Sequence, residues 1–205
     1  MRKTTLLLLA LLGTVVSGSV GAAPSPSVTI AASRPVVVYG QSVTLSGTVS
    51  SHKTGETVTL ASEPFGKSAF SDFATATTTT RGAWSSVAKP TIQTVYRASW
   101  MTTTSQDVTV KVRPLVQLKL VSAAHGSFSV SVTGDRAFTG QFVLVQRLTS
   151  AGTIIVKHVT LDASSSATFT VRLHRGLSRL RAVFPTSQAA PGYITGTSNV
   201  VAVRR

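Results

Sequence analysis

Apolar and polar residues alternate in short runs over most of the chain. Val43 and Leu45 alternate with threonine and serine, Val58 and Leu60 with threonine, and Phe128, Val130 and Val132 with serine. A period of two sends successive side chains to opposite faces of an extended backbone, so each run predicts a strand with one buried face. Threonine and valine dominate these runs, and their branched Cβ favours a pleated chain. The turn sequences YGQS, KTGE, TTRGA and SAGT separate them. After residue 23 no stretch keeps a helical period, and the pattern predicts an all-β protein built from short strands.

The first 23 residues break this pattern. Arg2 and Lys3 precede an apolar run from Leu6 to Leu12, and SVGAA then supplies small side chains. That order predicts a signal peptide over residues 1–23, cut after Ala22 or Ala23. A membrane-spanning helix needs roughly 20 apolar residues. Gly13, Thr14, Ser17 and Gly18 interrupt this run, so the mature chain is expected to carry no transmembrane segment and to be secreted, extracellular or loosely associated with the cell envelope. The chain has no cysteine, which removes both lipid attachment and disulfides and leaves apolar burial as the source of stability.

The strand pattern occurs twice. VTLSGTV at Val43 and FSVSVTG at Phe128 begin similar stretches 85 residues apart, and at that offset Gly55 matches Gly140 and Trp84 matches Phe169. Tyr96 meets Leu180, and Trp100 meets Phe184, at an offset of 84. The reading is two modules, residues 24–113 and 114–205. Each has the size and strand spacing of an immunoglobulin-like domain, so the expected fold is two tandem immunoglobulin-like or fibronectin-III-like antiparallel β-sandwiches. KVRPLVQL joins them with no glycine or serine run, which predicts a short, stiff connection. PSPS at Pro24–Ser27 reads as a flexible or extended leader.

In GAWSSVAKPTIQTVYRASW, period two puts Tyr96, Ala98 and Trp100 on one strand face, and Trp84 on the preceding strand meets them across a core. Burying such a side chain contributes roughly 1.5–3 kcal/mol. The expected counterparts in the second module are Phe169, Leu180 and Phe184. Leucine in place of tyrosine suits a core better than a sugar-stacking platform. TVYRASW followed by SQDVTVKVRP resembles the end of bacterial immunoglobulin-like repeats found in exported actinobacterial proteins, although SRLRAVF in the second module lacks the tyrosine. The resemblance implies fold and export; sandwiches of this kind serve adhesion, spacing and ligand display alike.

Charge adds one more feature. Lys and Arg number 20 against six Asp and Glu, for a formal net charge of +14. The second module carries ten basic side chains against Asp135 and Asp162 alone, so it is the half expected to meet an anion. The remaining acids, Glu56, Glu63, Asp72 and Asp107, fall mostly in turns. His52, His125, His158 and His174 are scattered without metal-ligand spacing, and no GxSxG elbow follows residue 23. The chain reads as noncatalytic, with no cofactor and no metal.

Two stretches are candidate binding sites. In VRLHRGLSRLR, inward Leu173 and Leu180 would send Arg172, His174, Arg179 and Arg181 outward on two neighbouring strands, with Arg175 at the turn. Convergent guanidinium forks suit phosphate or carboxylate polymers, so the expected partner is an anionic cell-envelope polymer or glycan. No aromatic residue is interleaved among the arginines, which argues against nucleic acid. In EPFGKSAFSDF, Phe65 on a turn could seat a sugar or a protein, whereas Phe70, aligned with Ile155, reads as strand packing. The expected function is an adhesive, spacer or ligand-binding module at a bacterial cell surface. The alternative is an accessory or inhibitory module docking on another secreted protein.

Overall fold

The computed structural model describes residues 25–205, so the signal peptide expected from the sequence lies outside the described residues. The described chain is all-β. Its first nine strands are β1 (Ala31–Ala32), β2 (Val36–Val38), β3 (Val43–Thr48), β4 (Thr57–Pro64), β5 (Ser71–Thr77), β6 (Ala83–Ala88), β7 (Thr94–Trp100), β8 (Thr103–Thr104) and β9 (Val108–Arg113). They form a three-stranded sheet, β1-β3-β6, facing a sheet ordered β2-β9-β7-β4-β5 with β8 also paired to β7. Only Pro114 separates β9 from the next strand. There follow β10 (Leu115–Ser122), β11 (Ser127–Thr133), β12 (Phe142–Thr149), β13 (Gly152–Thr160), β14 (Ser166–Thr170) and β15 (Leu177–Phe184). A short helix, α1 (Thr186–Ala189), leads to β16 (Gly196–Thr197) and β17 (Val201–Arg204). Here the sheets are β10-β11-β14 and β13-β12-β15, with β16 and β17 both paired to β15. Apart from β2, which has no counterpart in the second half, the two halves repeat one strand order, and together they are two tandem immunoglobulin-like β-sandwiches.

One pairing departs from the all-antiparallel expectation. The N-terminal segment leaves the first sheet after β1, crosses at Ser33-Arg34-Pro35, and arrives in the opposite sheet as β2, parallel to β9. Val36 lies beside Lys111 and Val38 beside Arg113. The leader is docked from Ser27, whose amide donates to the Ser50 hydroxyl at 2.9 Å, and Val28 bridges Val49.

The aromatics of the first half are core. Trp84 on β6 and Tyr96 and Trp100 on β7 are buried, and they come from facing sheets around Leu45, Leu60 and Ala98. In the second half Phe169, Leu180, Ala182 and Phe184 are buried likewise. The detailed alignment differs from the sequence expectation. Leu60 faces Ala98 and Val145 faces Ala182, which keeps the offsets of 85 and 84 in the larger sheets. In the smaller sheets the offset is 83: Gly47 faces Trp84 where Val130 faces Ala167, and Leu45 faces Ser86 where Phe128 faces Phe169. Trp84 therefore corresponds to Ala167, not to Phe169. The pairs place their larger member on opposite strands: Trp84 on β6 faces Gly47, whereas Val130 on β11 faces Ala167.

A buried serine recurs in both halves. The Ser105 hydroxyl accepts the Ala98 amide at 3.0 Å and donates to the Gln106 carbonyl at 2.8 Å. The Ser198 hydroxyl accepts from Ala182 at 2.8 Å and donates to Asn199 at 2.6 Å. Each satisfies a backbone amide that the missing ladder neighbour would leave buried and unpaired. Between β15 and Ser198 the second half carries an insertion, Pro185–Thr195, that the first lacks, and this insertion makes the junction with the first sandwich. The Tyr193 hydroxyl donates to the Thr91 carbonyl at 2.8 Å and accepts the Asp135 amide at 2.7 Å. The Gln93 amide donates to the Gly192 carbonyl at 3.0 Å, the Ile194 amide to Val112 at 3.1 Å, and Arg113 to Thr195 at 2.9 Å.

Candidate functional site

The second sandwich has one end beside the first and the other away from it. β10 leaves the junction at Leu115, so its far end at Ser122, the β12–β13 turn, the segment between β14 and β15, and the end of β17 share one tip. The connection from β14 to β15 is an arch from one sheet to the other, not a hairpin within one sheet. Its apolar members plug the tip: Val171 and Leu173 are buried, and the Val171 amide donates to the Gly126 carbonyl at 2.9 Å. Gly126, at φ +60°, is required there because a Cβ would overlap the Val171 carbonyl oxygen.

This arch corrects the expected placement of the arginines. Arg172, His174 and Arg175 stand on no strand, and Arg179 and Arg181 belong to β15 in the opposite sheet, so the five do not lie on neighbouring strands. Alternation misled here because the arch buries every second residue as a plug rather than as a ladder. A notch of about 500 Å³ opens at the tip, lined by His174 and Arg179 of the expected set and by Arg147, Leu148 and Leu177. Arg172 and Arg175 are exposed beside it. Arg181 is turned away and donates through Nε to Gln146 at 2.9 Å.

Arg147 went unnoticed in the sequence although its signal was present. In β12 the period of two carries the core face through Val143 and Val145 to Arg147, whose ladder partner Leu180 is buried. Its guanidinium crosses the open end of the sandwich and donates to the Arg172 carbonyl at 2.8 Å, while its buried Nε has no partner. Lys157 on β13 makes the equivalent reach, donating to the Thr170 carbonyl at 3.1 Å. Two cations thus tie one sheet to the Thr170 carbonyl that ends β14 in the other and to the Arg172 carbonyl in the arch just beyond it.

The acids of the second sandwich sit at its opposite end. Asp135 accepts from Thr91 at the junction at 3.1 Å. Asp162 closes its own turn, accepting from the amides of Ser164 and Ser166 at 2.8 and 3.0 Å, and the Ser164 hydroxyl leads these bonds in holding its carboxyl below the usual carboxylate range. An eight-residue strand such as β12 spans about 25 Å, well beyond the Debye length of about 8 Å at physiological ionic strength. These acids therefore do not offset the tip. The one ion pair among the described residues is Arg97–Asp107, at 2.7 Å in the first sandwich. The described residues contain no cluster of three His, Cys, Asp or Glu side chains able to hold a metal.

The phenylalanine turn has another setting. Phe65 is 47% exposed, and its ring borders Gly192 of the second sandwich, where an added Cβ would stand 3.1 Å from Phe65 and 2.6 Å from Ile92. Phe70 is not strand packing. It lies outside β5 with the Arg97 guanidinium 4.1 Å from its ring centre, a cation–π contact that the Asp107 carboxylate holds in place.

Fold and site define a class: a tandem of immunoglobulin-like sandwiches, tied by a tyrosine junction and charged at one tip. No protein-family model and no curated protein sequence matches the chain. Among solved structures it is similar to a tetra-tandem repeat in the extending region of a large adhesion protein, at 15% identity and a TM-score of 0.39 over 87% of this chain. The chain spans about half of that structure, 49%. No helix among the described residues is long and apolar enough to cross a membrane.

Proposed function

We propose that this chain is a noncatalytic module of the bacterial cell envelope, adhesive or spacing in role, that holds anionic polymers with the tip of its second sandwich. The observation that carries the reading is the separation of charge: Arg172, Arg175 and Arg179 are exposed at a tip without Asp or Glu, while at the opposite end Asp135 is engaged at the junction and Asp162 in its own turn. A guanidinium with no internal acid partner keeps its forked donors for phosphate or carboxylate. Phe65 serves the junction, so the alternative of docking on another secreted protein draws no support from it. The test is binding of the chain to inorganic polyphosphate in low salt. Binding should weaken steeply with added salt, and the Arg172→Ser/Arg175→Ser/Arg179→Ser variant should lose it. Undiminished binding by that variant would remove the reading.

A further inference from the structure

The tip carries more than charge. Of the ten large apolar side chains exposed among the described residues, five lie where the strands of the second sandwich meet the tip: Leu120, Val121, Ile154, Ile155 and Leu177. Four of them are more than half exposed, Val121 at 59%, Ile154 at 55%, Ile155 at 51% and Leu177 at 64%, and Leu120 is 39% exposed. Leu177 mixes with the cations most directly: it lines the notch with His174 and Arg179 and pairs with Arg204. The turns that cap the tip, SAAHG at 122–126 and TSAG at 149–152, are small and carry no acid.

Resting on the polyanion reading, we infer that the partner of this tip is an anionic lipid bilayer, with the arginines at the headgroup phosphates and the branched aliphatics at the acyl boundary. The alternatives fit less of the tip. A soluble polyanion would satisfy the guanidinium groups and leave five aliphatic side chains in water. A protein partner is usually gripped by buried aromatic anchors, and the five exposed apolar side chains are all aliphatic. A bilayer surface supplies a plane of phosphates and, within about 5–10 Å beneath it, an apolar layer. Basic side chains are drawn to that surface by its negative potential, and their aliphatic stems extend along apolar groups while the charge stays at the phosphates. Single acyl-scale contacts are marginal alone, so the combination of charge and insertion is what makes such binding measurable.

The experiment is cosedimentation of the chain with phosphatidylcholine vesicles, with and without phosphatidylglycerol, alongside polyphosphate binding. The parent should sediment with the mixed vesicles and not with phosphatidylcholine alone. The Ile154→Ser/Ile155→Ser/Leu177→Ser variant changes only exposed positions. It should partition to the mixed vesicles roughly tenfold or more weakly, as expected when buried methylenes are lost, while binding polyphosphate as the parent does and keeping the parent's far-ultraviolet circular dichroism and urea midpoint, which show that it folds. If this variant sediments like the parent, the bilayer inference is overturned and the polyanion reading stands. If the parent binds polyphosphate but not mixed vesicles, the bilayer inference is overturned in the same way. Failure of the arginine variant to lose polyphosphate binding strikes the underlying reading instead.

Discussion

Gly47 lies opposite Trp84 in the β3–β6 ladder, and a Cβ on Gly47 would stand 2.8 Å from the Trp84 Cζ2 atom. The same Cβ would overlap the Thr29 carbonyl oxygen. Neither neighbour withdraws freely, since Trp84 is wedged between the sheets and Thr29 is tied to Thr48 through both its amide and its side-chain hydroxyl. Gly47→Ala should therefore destabilise by about 1–3 kcal/mol, the usual cost of overpacking. A lowered midpoint in urea, followed by tryptophan fluorescence, checks it.

Both tryptophans, Trp84 and Trp100, belong to the first sandwich, and this makes the junction measurable. In the parent, fluorescence and far-ultraviolet circular dichroism should report coincident urea transitions if the halves unfold together. Tyr193→Phe removes the hydroxyl that joins the Thr91 carbonyl to the Asp135 amide, a loss of about 1 kcal/mol for each of the two hydrogen bonds. The two transitions should then separate. Transitions that remain coincident, with an unchanged midpoint, would show that the hydroxyl does not couple the halves.

Much of the fold was legible because it depends on period. Alternation placed Tyr96, Ala98 and Trp100 on a buried face, and the repeat of glycine and apolar landmarks matched β4 with β12 and β7 with β15. What alternation cannot show is which residue shares a space with which. The Gly47–Trp84 pair and the Val130–Ala167 pair put the larger residue on opposite strands, so matching tryptophan to the nearest phenylalanine gives an offset two residues too long. The tip was half legible for a related reason. VRLHRGLSRLR marked the right region, but a plug and a strand both bury every second residue, and only the sheet order distinguishes them. Arg147 was hidden by its type, since a cation on a core face is read as an outward one until its backbone partner is seen.

Burial makes the first sandwich sensitive to alkali. Loss of solvent around Tyr96 pushes its phenol from an ordinary value near 10.0 up to about 12. The unfolded chain ionises first, so the contribution of the neutral phenol is complete below about pH 10 and is lost as pH rises towards 12. Over that interval stability should fall by about 2–3 kcal/mol, at about 1.4 kcal/mol per pKa unit. Burial raises the Tyr193 phenol as well, adding to the effect in the same direction. Urea titrations at pH 9 and above pH 11 check the sign. The Tyr96→Phe variant should flatten the dependence.

Cations at the tip should divide by role. Arg147→Met removes the donor to the Arg172 carbonyl, so the arch over residues 171–176 should become more susceptible to protease, with a loss of about 1 kcal/mol in global stability. Arg179→Ser, at an exposed position, should leave stability within about 0.5 kcal/mol. Equal effects of the two substitutions would contradict the division.

The parallel alignment of β2 with β9 bears on how the first sandwich meets mechanical load. Tension entering on the N-terminal side of β2 and leaving through β9 would pull these strands along their length, so the bonds around Val36–Val38 must rupture together instead of unzipping in turn. Among the described residues the second sandwich has no parallel pair of this kind, because β10 pairs with β11 and β17 with β15. In single-molecule stretching the higher rupture force should therefore belong to the first unit, leaving the second as the part that yields.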